Sequence, residues 1–175
     1  EDIIGTFNAL LRIAQVEAGD RRERFQRTDL RDLVANVHEV FEPSAEDADQ
    51  QLYLRMPDHP VIVWGDPDLL MQLTSNLVEN ALRHTPASTS VTLEASTMDG
   101  FSVLCVSDTG PGIAIDDREK VFRRFFRGET SRTTGGNGLG LSLCKAIAEL
   151  HHAELDVSDN QPGLRIEARF PTPAN

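Results

Sequence analysis

Gly135-Gly136-Asn137-Gly138-Leu139-Gly140-Leu141 is a glycine-rich run that opens straight into a helical pattern over 142–152. Glycine allows close backbone approach to a ligand, and a helix N-terminus offers unpaired amides and the positive end of its dipole. The run is therefore a candidate anion cradle. Two familiar phosphate loops do not fit it. A P-loop needs a lysine after the final glycine, where Leu141-Ser142 stands here. A dinucleotide fingerprint needs a preceding strand and the spacing G-x-G-x-x-G, whereas this is G-x-G-x-G after a polar stretch. Two segments upstream decide what the run means.

The first is a helical pattern over 66–84, opened by Gly65-Asp66-Pro67-Asp68: a turn glycine, an aspartate cap and a proline in the first turn. It carries Asn76, Asn80 and Arg83 at i, i+4 and i+7, hence on one face, beside the apolar Leu69, Leu73 and Leu77. Asparagine is a mediocre helix former and costly to bury unpaired. Its carbonyl oxygen is a good neutral ligand for Mg²⁺, and Arg83 is placed to reach a phosphate. Read alone, the pair is better explained by solvated or self-bonded asparagines. The second segment, Asp108-Thr109-Gly110-Pro111-Gly112, follows a strand pattern. A carboxylate there can accept from the exocyclic amine of adenine and repel the carbonyl of guanine. Alone it is equally a common turn.

The remaining pattern sets a frame. Apolar positions over 2–19 repeat as a helix that wants a partner, as in a dimeric bundle or a truncated hairpin. Glu23–Arg27 suggests a short strand, and Thr28 or Asp29 caps a helix ending near Pro43. Strands are expected at Leu52–Met56 and Val61–Trp64. Thr89–Ser96 and Phe101–Ser107 form a hairpin through Asp99-Gly100, and Glu154–Ser158 and Leu164–Phe170 another through Asn160-Gln161-Pro162-Gly163. Asp116–Phe122 reads as a short helix, and 127–137, without an apolar residue, as a mobile loop. The class is α+β, a two-layer sandwich of a mixed sheet with helices on one side.

Across its 175 residues the net charge is −11, which argues against a nucleic-acid partner. Arg123, Arg124, Arg127 and Arg132 nevertheless gather just before the glycine run. Cys105 and Cys144 sit in apolar stretches without metal-ligand spacing and read as buried thiols, in keeping with a reducing cytosol. No apolar stretch is long enough to span a membrane. The chain starts inside a helical pattern and without Met, so a fragment of something longer is expected.

Taken together, these segments resemble the catalytic ATP-binding domain of sensor histidine kinases, in the GHKL superfamily. Asn76-Leu77-Val78-Glu79-Asn80-Ala81-Leu82-Arg83-His84-Thr85-Pro86 is similar to the family's N box, and Asp108–Gly112 to its first glycine box. Val121–Arg127 is similar to the F box, and Gly135–Leu141 to the second glycine box. The resemblance implies the Bergerat ATP-binding fold over 25–172, with an ATP lid over 123–138, and the end of a second dimerisation helix over 1–20. It further implies that Asn80 ligates Mg²⁺, that Asn76 supports the metal or phosphate, that Arg83 contacts phosphate and that His84 packs by the base. Asp108 would bind the adenine amine, in a pocket shaped by Gly110, Gly112 and Ile113. Arg127 would lie near the phosphates, lined by Gly136, Gly138, Leu139, Gly140 and Leu141. Glu79 matches an acidic position of the family, a possible base. The phosphoacceptor histidine of the family lies upstream of residue 1, and His38-Glu39 only echoes its box. His38, His59, His151 and His152 read as surface or packing histidines, the last two at a helix end where positive charge is favoured. The implied partners are ATP with Mg²⁺, a response regulator receiver domain and a second copy of the parent. The domain would be cytoplasmic, in a parent anchored in the inner membrane. A GHKL ATPase, an anti-sigma-type serine kinase and a degenerate interaction module are the alternatives.

Overall fold

Helix α1 (Ile3–Glu17) has two apolar faces: Ile13 and Val16 are buried, while Ile4, Phe7 and Leu11, spaced i, i+3 and i+7, are exposed. The computed structural model describes residues 3–19, 22–127 and 138–173. A 3₁₀ turn (Arg22–Arg24) leads into β1 (Gln26–Asp29), then α2 (Leu30–Asp47), β2 (Gln51–Arg55), β3 (Ile62–Gly65) and α3 (Pro67–His84). Strand β1 lies further along than Glu23–Arg27. Its limits are set by antiparallel pairing with β3, from Gln26↔Gly65 to Asp29↔Ile62, a partner that local pattern does not reveal.

Asp29 caps α2 by accepting from the Arg31 amide, and Asp66 caps α3 by accepting from the Asp68 and Leu69 amides. Contrary to the expected stop, α2 runs through Pro43 to Asp47. Pro43 is exposed, as is Glu39 one turn back, so the carbonyl that loses its amide partner can turn to water.

Strands β4 (Ser90–Met98) and β5 (Phe101–Asp108) form the expected hairpin, with Asp99 at φ 52° and Gly100 at φ 81°, the turn that matches strand twist. Helix α4 is only Ile115–Arg118, shorter than Asp116–Phe122, because the chain continues in successive turns such as Val121 N–H to Asp117 O. Helix α5 (Gly140–Leu150), β6 (Glu154–Asp159) and β7 (Leu164–Pro171) complete the order.

The five-stranded sheet runs β2-β4-β5-β7-β6, with β2 and β4 parallel and every other pair antiparallel. Burial alternates along β4, where Val91, Leu93 and Ala95 face the helices, and on β7 Ile166, Ala168 and Phe170 share that face. Helices α2, α3 and α5 cover that face, and α1 packs on α5. On the other face Glu167 bonds both Arg165 and Arg169. Burial pushes its carboxyl up, but the two guanidiniums outweigh this and hold it below the usual range. The α+β sandwich with a mixed sheet is thus what the sequence implies.

Candidate functional site

The floor of the site is the end of β5. Asp108 is only 7% exposed, and its Oδ1 accepts from the Gly110 amide at 2.9 Å and the Leu164 amide at 3.2 Å. Burial raises its carboxyl above the ordinary range, and the two amides partly oppose that. Both bonds fall on Oδ1. Among the described residues none falls on Oδ2, which remains a strong acceptor for a ligand's N–H.

Around Asp108 the backbone is too crowded for side chains. A Cβ at Gly110 would lie 2.6 Å from Thr85 Cγ2, and one at Gly163 would lie 1.8 Å from the Asp108 carbonyl oxygen. Gly112, at φ 69°, abuts the Gly163 carbonyl. Asn160 Nδ2 donates to Asp108 O at 2.7 Å. Sequence reasoning saw 160–163 only as a hairpin turn. Nothing local distinguishes such a turn from one that also packs on a distant loop.

Helix α3 supplies the wall. Asn76 and Asn80 are half-buried on one face with Arg83, as the spacing requires. The Asn76 Nδ2 is buried beside the expected ligand face without a hydrogen bond of ordinary geometry among the described residues, its polar neighbour there being the weakly accepting Cys144 thiol. Arg83 bonds Glu79 one turn back, so in this structure both expected roles are occupied by that pair. Burial, then the charges of Arg83 and Arg127, push His84 below its ordinary value. Arg127, at the mouth of the expected lid, is thereby placed near the C-terminal end of α3. Thr85 joins that end to Gly110 and is itself held by Gln50, whose Nε2 donates to Thr85 O at 2.7 Å and to Leu82 O at 3.0 Å.

The glycine run is described from Gly138 onward; Gly136 and most of the expected lid lie outside the described residues. Gly138, at φ 66°, abuts Phe125 and Phe126 near the start of the expected lid, where a Cβ would come within 2.9 Å of Phe126 O. The Phe125 amide donates to Gly138 O at 3.0 Å. Leu139 is buried, so its side chain belongs to the core and only its main chain can line a ligand. Ile113 and Leu141 pack half-buried against that core. Helix α5 begins at Gly140, two residues earlier than the pattern suggested, because the Leu143 amide bonds Leu139 O at 3.0 Å and closes the first helical turn there.

Among the described residues no cluster of His, Cys, Asp or Glu could hold a metal ion. Both cysteines are buried and free, and burial pushes each thiol up to about 12. His38 packs through Nε2 on Leu52 O at 2.9 Å. His151 departs from its expected role as a charge-welcoming helix end. It is buried, its Nε2 accepts from the Asp66 amide at 3.1 Å, and it stacks on Phe25 with centroids 4.6 Å apart. Burial holds it below its ordinary value, so it is a neutral core histidine.

A central β-strand ending in a buried aspartate, a glycine turn, an asparagine-bearing helix and a glycine-started helix together define a nucleotide-binding ATPase class. Residues 65–174 match the family of histidine kinase-, DNA gyrase B-, and HSP90-like ATPases, and the chain belongs to it. It is 35% identical over 150 residues to the sensor histidine kinase RppB of Synechocystis, covering 85% of this chain and 33% of that one. Among solved structures it is similar to the mycobacterial sensor histidine kinase MprB, with 27% identity and a TM-score of 0.76 over 85% of this chain and all (100%) of that one. It is also similar to full-length ShkA in complex with AMPPNP, at 27% identity and a TM-score of 0.76 over 96% of this chain and 36% of that one. The chain spans about a third of the length of the curated relatives it matches first.

Proposed function

We propose that this chain is the catalytic domain of a sensor histidine kinase, holding Mg·ATP for transfer of its γ-phosphoryl group to a histidine on a segment upstream of residue 1. A response regulator aspartate would then collect the phosphoryl group. The observation that carries the reading is Asp108: a buried carboxyl with Oδ1 pinned by two amides and Oδ2 open, behind glycines that a Cβ would block. The geometry suits the 6-amino group of adenine. Guanine would bring a carbonyl to the same oxygen.

The donor set fits a phosphate-bound magnesium ion. Asn80 would offer one neutral oxygen to the metal, with Asn76 a turn before it and phosphate and water as the other ligands. The metal would neutralise charge on the transferred group; the protein's residues orient the nucleotide and exclude water. Arg127 and Arg83, near His84 at the end of α3, would meet the phosphates, with Arg83 exchanging Glu79 for them. Residues 123–138 are proposed as the lid that closes over nucleotide, with Gly136, Gly138 and Gly140 permitting close approach. Helix α1 is proposed as the end of a dimerisation hairpin, its exposed Ile4, Phe7 and Leu11 facing a second copy of the parent. The parent would be anchored in a membrane with this domain on the cytoplasmic side, although no helix among the described residues is long and apolar enough to cross one.

Calorimetry tests the reading. The chain should bind Mg·ATP, and Asp108→Asn, which presents a donor to the amine, should weaken binding by about a hundredfold. Unchanged affinity in that variant would overturn the assignment. In a longer protein carrying the upstream helix, label from ATP should appear on histidine. Label on serine, or free phosphate alone, would favour a serine kinase or an ATPase instead.

A further inference from the structure

The carbonyl of Asp108 lies one residue past the end of the β5–β7 ladder, whose last pair is Ser107↔Arg165. In a continued ladder the Leu164 amide would serve that carbonyl. Here it goes to the Asp108 side chain instead, at 3.2 Å from Oδ1. The vacated place is taken by a side chain: Asn160 Nδ2 donates to Asp108 O at 2.7 Å. The hairpin thus exchanges donors, main chain to side chain and side chain to main chain, and clamps both halves of one residue.

Asn160 is itself fixed. Its amide closes the turn on Gly163 O at 3.1 Å, and the neighbouring Asp159 accepts from the Gln161 amide and pairs with Arg118. The close approach depends on Gly163, which admits no Cβ against Asp108. On its other side, Asp108 is bordered by the Thr109 amide bonded to Ser90 O at 3.0 Å. Its peptide plane is therefore held from both neighbouring strands, and Asn160 supplies the hold on the β7 side.

We propose that Asn160 is a positioning residue that sets base specificity, by fixing Asp108 so that its open oxygen meets the purine's 6-amino group. The inference rests on the reading of Asp108 as the base-recognising group. Asn160 touches no substrate in this scheme. Without its bond the Asp108 peptide can tilt, and the carboxylate loses its fixed aim without losing its charge.

The test compares Mg·ADP with the Mg complex of purine riboside diphosphate, which lacks the amine, by calorimetry on this chain. The wild-type chain should prefer ADP by about tenfold. In Asn160→Ala the preference should fall to about threefold or less, while affinity for the amine-free analogue stays within about twofold, because phosphate contacts are untouched. Asn160→Ser keeps a turn-favouring residue on a shorter side chain without adding charge, and should do the same if the alanine variant folds poorly. No preference in the wild-type chain would overturn the Asp108 reading itself. A wild-type preference that survives in both variants, or an equal loss for both ligands, would overturn the role of Asn160 and leave Asp108 standing.

Discussion

Gly140 is a glycine whose identity the protein's own packing does not require. A Cβ added there meets no atom within 4 Å among the described residues, whereas at Gly110, Gly138 and Gly163 one would strike a neighbour. Gly140 also stands first in α5 with helical backbone, where alanine is the better helix former. Gly140→Ala should therefore leave stability unchanged or raise it by up to about 1 kcal/mol, while weakening Mg·ATP about tenfold if phosphate approaches the main chain there. Urea unfolding and calorimetry on the same preparation check both halves. Loss of stability, or intact affinity, would contradict the phosphate assignment. At this scale the sequence was legible where a polar or flexible residue interrupts an apolar pattern, as Asp108, Asn80 and the glycines do. It was not legible for Gly163 or Asn160, whose roles come from a loop about fifty residues away in the chain.

Helix α3 shows why elements were easier to read than their attachments. Its start is written locally in Asp66 and Pro67, and its apolar stripe in the spacing of Leu69, Leu73 and Leu77. The device at its far end is not local. Gln50, buried at the start of β2, directs Nε2 at Leu82 O, Thr85 O and Thr85 Oγ1, while its own Oε1 is buried without a hydrogen-bond partner. These acceptors fix the amide's orientation, and its N–H groups satisfy carbonyls that a helix end leaves unpaired. Gln50→Leu should cost about 1–3 kcal/mol by stranding them, and Gln50→Glu more, because a buried carboxylate would face carbonyl oxygens. Denaturant titration measures both. Equal stability of the glutamate and leucine variants would show that the donor count at this helix end does not matter. Pro43 shows the converse limit: a strong local stop signal is overridden where the freed carbonyl faces solvent.

The whole molecule joins its two ends through one buried imidazole. His151, after α5, accepts from the Asp66 amide at the start of α3, places Nδ1 2.7 Å from Ile147 O, and lies between Phe25 near the N-terminus and Phe170 near the C-terminus. The arrangement requires a neutral ring with its proton on Nδ1, donating to Ile147 O, and a bare Nε2. The charged groups near it are Asp66, which favours the protonated form, and His152, which opposes it; burial outweighs both and lowers the folded-state value below the ordinary 6.5. The unfolded chain then binds a proton more readily than the folded one. The stability contributed is full above about pH 6.5 and is lost as pH falls from there toward the folded value. His84, also lowered chiefly by burial, adds to the same slope, whereas the depressed carboxyls of Asp29 and Glu167 act only at lower pH. Asp108, raised by burial, acts in the opposite sense, also near the carboxylate range. Unfolding free energies at about pH 7.5 and about pH 5.5 should therefore show a loss on acidification that His151→Gln reduces but does not abolish. A slope unchanged by that substitution would mean that His151 binds its proton alike in the folded and unfolded chain, which would overturn the neutral, amide-bonded ring.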